Sequence, residues 1–333
     1  MSGSIAIIGA GSWGTALAIV LAPRFEQIRL WAHEADLVER MSASRENDVF
    51  LPGFQLPANV HPTADLKAAL VNAGTVVGVM PSRFARPLYR AMLPHLEPDM
   101  QFVSATKGLE HATLLRMSEV ARAAMGAKFA PRIAVLSGPT FAREVARGEP
   151  TAVVISSEDR DLAASVQQDF SGPTLRLYTN DDPTGVEIGA ALKNTIAIGA
   201  GICQGLGLGN NSIAALITRG LAEITRLAVA MGGRPRTLSG LAGLGDLVLT
   251  CTGELSRNRM VGIELAKGRK LEEIVGSMSM IAEGVETTPA AVELARKFDV
   301  DLPITQQMDS ILTGARAPRD AIRELMERTL KNE

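Results

Sequence analysis

The chain has 333 residues, a formal net charge of −2 and 21% charged residues, so no basic excess points to nucleic acid. Its two cysteines, Cys203 and Cys251, are too few and too far apart to propose a disulfide framework or a zinc site, and no metal is expected. The length allows two domains, and no basic-then-apolar leader precedes the first apolar run, so a cytoplasmic location is expected.

The first predicted strand is Ser4–Ile8. It runs into Gly9-Ala10-Gly11-Ser12-Trp13-Gly14 and then an Ala-rich helix. A G-x-G-x-x-G turn between strand and helix is a dinucleotide-binding fingerprint. Gly9 permits the tight turn, Gly11 lets backbone approach a pyrophosphate, and Gly14 lets helix and strand pack closely. The next predicted strand, Ile28–Trp31, ends at Ala32-His33-Glu34. Glu34 there suits the ribose hydroxyls of NAD, whereas His33 with Arg29 or Arg45 suits the ribose phosphate of NADP, so the choice of cofactor stays open. Further strands are read at Thr75–Met80, Gln101–Ser104, Ile133–Leu136, Ala152–Ile155 and Leu175–Tyr178, with helices at Leu114–Met125 and Asp161–Phe170. Such alternation predicts a parallel sheet with crossover helices.

After Asp181-Asp182-Pro183 the β-rich runs largely stop, and helices are read at Ile213–Met231, Arg257–Lys267, Pro289–Lys297 and Thr305–Thr313. The expected architecture is an α/β Rossmann-like dinucleotide-binding domain over residues 1–183, followed by an all-helical substrate-binding and catalytic domain over residues 184–333. The most apolar run, Ile188–Ile202, is interrupted by Lys193 and shorter than a bilayer-spanning helix, so no transmembrane segment is expected.

Hydride transfer to a carbonyl needs a positioned proton donor. The four histidines, His33, His61, His95 and His111, all lie in the first third of the chain, and neither Tyr89 nor Tyr178 has a lysine four residues on. Lysine remains. Lys193 stands in a small-residue, apolar helix, where desolvation lowers an ammonium pKa toward values useful for proton exchange. It either serves as the proton donor or snorkels to solvent or a structural acid. Lys107, just past a strand end and before Gly108, either holds an anionic substrate or is an exposed loop lysine. Ser137-Gly138-Pro139-Thr140-Phe141-Ala142 offers hydroxyl and backbone hydrogen bonds, or is an ordinary strand-to-helix turn. Ser256 reads as an N-cap, placing Arg257 and Asn258 in a first helical turn where a phosphate is well received, or on a capped surface helix. Asp246 either orients Lys193 or caps a helix.

These motifs closely resemble bacterial-type NAD(P)-dependent glycerol-3-phosphate dehydrogenases. The matching pieces are Ile7–Ala18, Ala105–Glu110, Ser137–Ala146, Leu192–Gly201, Leu216–Ile224, Leu241–Arg259 and Glu283–Thr288, in the family's order over nearly the whole chain. The resemblance implies reversible reduction of dihydroxyacetone phosphate, a small phosphorylated three-carbon substrate, to sn-glycerol 3-phosphate for phospholipid synthesis, by a homodimer or larger assembly. It makes Lys193 the proton donor/acceptor and Lys107, Gly138, Thr140, Asp246, Ser256, Arg257 and Asn258 substrate contacts. Ser12, Trp13, His33, Lys107, Ala142, Arg257, Ile281 and Glu283 then join Gly9, Gly11 and Gly14 as cofactor contacts, for NADP or NAD. Two rivals share parts of this pattern: a lysine-dependent β-hydroxyacid dehydrogenase with a carboxylate substrate, and a non-catalytic nucleotide sensor.

Overall fold

The computed structural model describes residues 2–278 and 281–330. The chain forms two compact units, one from the residues up to Lys107 plus Leu115–Val186, the other from Gly108–Leu114 plus the residues from Glu187 onward.

The first unit is built on a sheet of eight strands: β1 (Ser2–Ile8), β2 (Phe25–Trp31), β3 (Val60–Thr63), β4 (Thr75–Gly78), β5 (Gln101–Ser104), β6 (Arg132–Ser137), β7 (Thr151–Ser156) and β8 (Leu175–Asn180). Their order is β3-β2-β1-β4-β5-β6-β7-β8. The pairs from β3 through β6 are parallel, in the 3-2-1-4-5-6 order of a dinucleotide-binding sheet, whose direction of winding reverses at β1. Alternation along β1 explains the two-sided burial. Ile5 and Ile7 join one core with Leu17, Leu21 and Val103, while Ala6 and Ile8 join another with Val76, Tyr89 and Phe102.

Two sequence expectations change. The sheet is not wholly parallel, because β7 runs antiparallel to β6 and β8 follows β7. After β6 the chain turns at Gly138 and passes only through a five-residue helix, Ala142–Ala146. A parallel return would need a longer crossover. Strand β3 was also not expected, since Val60-His61-Pro62-Thr63 lacks a β-rich pattern. It pairs only with β2 at the sheet edge, where proline is tolerated.

The first-unit helices that bear on the site are α1 (Ser12–Leu21), α2 (Ala35–Ser44), α3 (Met117–Met125), α4 (Ala142–Ala146) and α5 (Arg160–Phe170). The helix expected from Leu114 begins three residues later, because Leu114 has φ of +61°, outside the helical region. Arg116 instead opens α3, where the Glu119 carboxylate accepts from both its backbone N–H and its guanidinium.

The second unit is helical. It comprises α6 (Pro183–Gly205, from Glu187 on), α7 (Asn210–Ala230), α8 (Asp246–Thr252), α9 (Arg257–Ala266), α10 (Glu283–Lys297) and α11 (Pro303–Leu312), among others. Helix α6 is 23 residues long, and its apolar stretch is long enough to cross a membrane, contrary to the shorter run expected. Every residue of that stretch is buried inside the protein, where Ile188, Leu192 and Ile196 meet Ile224, Leu227, Leu247 and Leu294. Helices α6 and α9 touch backbone to backbone. A Cβ on Gly201 would fall 2.0 Å from the Arg259 carbonyl oxygen, and one on Gly262 would fall 2.0 Å from that of Ile198. Helix α10 starts six residues before the expected Pro289, which lies inside it and leaves the Val285 carbonyl without its helical donor.

Candidate active site

In the first unit, β1 hands the chain to Gly9, whose φ of +125° and Cβ position 2.3 Å from the Val79 carbonyl oxygen leave room only for glycine. A Cβ on Gly14 would meet the Gly9 carbonyl oxygen at 1.9 Å, so its absence lets the first turn of α1 close over the loop. Gly11 differs from both. Its missing Cβ would meet nothing within 4 Å, so no neighbour among the described residues demands a glycine there. The open position at the N-terminus of α1 fits a dinucleotide pyrophosphate.

Around that turn, Ser12 Oγ donates to the Phe50 carbonyl at 2.6 Å, and Trp13 and Ala142, the first residue of α4, both pack against the cluster of Ala16, Leu51 and Val145. His33 is exposed two residues past β2, with its ring 6.1 Å from that of Trp31. The two arginines considered for a ribose phosphate are held elsewhere. The Arg29 guanidinium donates to the Val71 carbonyl and to Gln27 at 2.8 Å. That of Arg45 donates to the carbonyls of Leu56, Pro57 and Val60. Of the three basic residues named from the sequence, His33 alone stands exposed at the strand end.

Past β5 and β6, three expected substrate residues meet. Lys107 Nζ donates to the Gly138 carbonyl at 3.0 Å and to Thr140 Oγ1 at 3.2 Å, and Thr140 also donates to Gly138 at 3.2 Å. Gly138 has φ of +143° and a Cβ position 3.0 Å from Val153 Cα, so glycine is needed to aim this carbonyl at the ammonium.

In the second unit, Lys193 projects from α6 and is 5% exposed. Its Nζ lies 2.9 Å from Asp246 Oδ1 and donates to Thr250 Oγ1 at 2.7 Å. Asp246 and Thr250 sit one turn apart on α8, which follows directly on a wider π-turn at Leu241–Gly245, with Gly245 N–H bonded to the Gly240 carbonyl at 3.1 Å. Thr250 completes the arrangement by donating to the Asp246 carbonyl at 2.6 Å. Sequence reasoning gave Thr250 no role, although the i, i+4 spacing to Asp246 was available as a signal. Next to Thr250, burial pushes the Cys251 thiol up to about 12, so it stays a neutral core group.

Helix α9 begins as expected, with Ser256 Oγ accepting the Arg259 N–H at 3.3 Å. Such a cap is worth about 1 kcal/mol. Arg257 Nη1 donates to the Ile281 carbonyl at 2.7 Å. Burial draws the Arg257 guanidinium below its ordinary pKa, opposed by the nearby Glu283 charge. Asn258 Nδ2 donates to Asn194 Oδ1 at 3.0 Å, while its Oδ1 accepts the Gly284 N–H at 2.9 Å. One amide thus links the helix of Lys193 to the start of α10 beside Glu283, and a Cβ on Gly284 would collide with it at 2.8 Å. The resemblance did not assign Asn194 a place.

A glycine turn at the reversal point of a mostly parallel sheet, with a helical unit around a buried lysine–carboxylate pair, defines an NAD(P)-dependent oxidoreductase. Residues 4–163 match the NAD-dependent glycerol-3-phosphate dehydrogenase N-terminus and residues 182–323 the C-terminus of the same family. Glycerol-3-phosphate dehydrogenase (NAD(P)+) of Koribacter versatilis is 60% identical, over 97% of each chain. That of Geobacter sulfurreducens is 51% identical, over 100% of this chain and 99% of its own. The crystal structure of the glycerol-3-phosphate dehydrogenase of Coxiella burnetii superposes with a TM-score of 0.94 at 41% identity, covering 98% of this chain and 99% of its own. The chain belongs to the NAD-dependent glycerol-3-phosphate dehydrogenase family.

Proposed function

We propose that this protein catalyses the reversible NAD(P)H-dependent reduction of dihydroxyacetone phosphate to sn-glycerol 3-phosphate, with Lys193 as the proton donor/acceptor. The observation that carries the assignment is the buried contact of Lys193 with Asp246 and Thr250, at 2.9 and 2.7 Å. When bound, the nicotinamide supplies or accepts the hydride. Lys193 gives its proton to the oxygen of the reacting carbonyl and takes it back in the reverse direction. Asp246 and Thr250 hold the ammonium in one rotamer, which fixes the direction in which it meets the carbonyl oxygen.

Arg257 and Asn258, at the start of α9, receive the substrate phosphate together with the helix N-terminus, and Ser256 holds that terminus in shape. Binding energy gathered at the phosphate orients the carbonyl. Lys107, braced by Gly138 and Thr140, supplies a positive charge for the substrate. The family resemblance supports Gly9, Gly11, Ser12, Trp13, Gly14, His33, Lys107, Ala142, Arg257, Ile281 and Glu283 as cofactor contacts, for NADP or NAD. The family resemblance further supports a cytoplasmic homodimer that supplies the glycerophospholipid backbone.

The test follows reduced-nicotinamide absorbance on adding dihydroxyacetone phosphate, with NADPH and NADH in parallel. The parent protein is expected to consume cofactor, and Lys193→Ala to lose turnover by at least about a thousandfold while still binding the nucleotide. Comparable turnover in the variant would remove Lys193 from the role. No turnover by the parent would reject the reaction. Sedimentation of the same preparation tests the dimer.

A further inference from the structure

Asn47 lies outside every motif described above, yet it is 0% exposed and makes three hydrogen bonds. Its Nδ2 donates to the Ala10 carbonyl at 2.8 Å and to Thr15 Oγ1 at 2.8 Å, and its Oδ1 accepts the Phe50 N–H at 3.0 Å. Ala10 is the residue between the first two glycines of the turn, and Thr15 lies in the first turns of α1. Both donor hydrogens of this amide are spent on the glycine turn and its helix.

We infer that Asn47 is a positioning residue for the cofactor, fixing the peptide plane between Ala10 and Gly11 in the orientation that receives the pyrophosphate. In a trans peptide the carbonyl and the following N–H point to opposite sides. With the Ala10 carbonyl drawn onto Asn47, the Gly11 N–H is turned the other way, on a residue whose Cβ position is open. Glycine directly after that plane would otherwise leave it freer to rotate. The inference rests on the reading of Gly9–Gly14 as the dinucleotide turn.

The anchor is itself rigid. Residue 45 leaves α2 with φ of +57°, and its guanidinium binds three carbonyls at Leu56, Pro57 and Val60. The Leu56 N–H returns to the Arg45 carbonyl at 2.6 Å, and the Gly53 N–H to Glu46 Oε1 at 2.7 Å. Leu51, 1% exposed, packs with Ala16 of α1 and Val145 of α4. Phe50 is tied to the turn twice, through its N–H to Asn47 and through its carbonyl to Ser12 Oγ. This explains why Arg45 faces backbone rather than solvent: it staples the loop that carries Asn47.

The experiment titrates NADH into the parent protein, Asn47→Ala and Thr15→Val, all held well below their melting temperatures, and then measures steady-state kinetics. For Asn47→Ala we expect a rise in cofactor Kd and KM of about tenfold or more, with kcat at saturating cofactor and KM for dihydroxyacetone phosphate within about twofold of the parent. Thr15→Val keeps the Asn47–Ala10 bond and removes the hydroxyl that braces it, so a smaller rise of about two- to fivefold is expected. It carries the test alone should Asn47→Ala fail to fold. A parent that binds NADH, with cofactor constants unchanged in the folded variants, overturns this inference. An equal loss in cofactor and substrate constants overturns it too, since a loosened fold would act on both. A parent that binds neither NADH nor NADPH overturns the reading of the turn itself.

Discussion

Lys193 is held by one charged and one neutral oxygen, and the two do different work. Asp246 supplies the carboxylate of the ion pair, while the Thr250 hydroxyl accepts from Nζ and donates its own O–H to the Asp246 carbonyl. Removing the hydroxyl leaves the charge pair but frees the ammonium to swing. Thr250→Val should therefore lower kcat by about tenfold with KM for dihydroxyacetone phosphate nearly unchanged, in the assay that tests Lys193. An unaltered kcat would reduce Thr250 to a helix-packing residue. Arg257 poses the complementary question. Its tie to the Ile281 carbonyl uses one arm of the guanidinium, and a phosphate can take others. Arg257→Ala should raise KM for dihydroxyacetone phosphate by about a hundredfold while hardly affecting the slow reduction of unphosphorylated dihydroxyacetone. Equal losses on both substrates would contradict a phosphate role.

Among the elements, α11 owes its N-terminus to another helix. Its N-cap position is Leu302, which has no side-chain acceptor, and the Glu223 carboxylate of α7 takes the Ile304 N–H at 2.6 Å, the Thr305 N–H at 3.1 Å and the Thr305 hydroxyl at 3.1 Å. Burial outweighs these donors and pushes the Glu223 carboxyl up from 4.5 to about 7. The folded protein then keeps a proton that the unfolded chain has already released, so the contribution of this group is fully present below 4.5 and is lost as pH rises through 7. The loss amounts to about 3 kcal/mol at most by linkage. Denaturant melts across that window should show the decline in the parent and a flatter profile in Glu223→Gln. Parallel profiles would mean that Glu223 is ionised throughout. Elements whose limits depend on local chemistry are legible in the sequence, as the Ser256 cap of α9 and the glycines of the first turn illustrate. Those whose limits depend on a distant partner are not. Pro289 reads as a helix start because a proline suits N1, yet α10 begins at Glu283, where the Asn258 amide meets the Gly284 N–H.

For the whole molecule, the order of β-rich and helical segments conveys the two-part architecture, since a sheet and a helical core demand different periodicities. Strand direction leaves no such mark, and the antiparallel β7 has the same apolar pattern a parallel strand would have. The same limit applies to the site. Lys193 and Asp246 each stand out within their own motif, whereas Thr250 is 57 residues from the lysine it binds and Asn47 is 37 from the carbonyl it holds. Such pairings are products of the fold, and no local pattern announces them.

The path of the chain between its two units bears on how the protein can be recombined. Residues 108–114 belong with the helical unit although they interrupt the first, and Leu109 is 3% exposed in the helical core. The polypeptide therefore changes unit after Lys107, again after Leu114, and finally after Val186. A hybrid of two relatives joined at a single crossover near Val186 would give the helical core of one parent a leucine plug from the other. Only a double graft, moving the 108–114 segment with the helices it packs among, would exchange one unit intact.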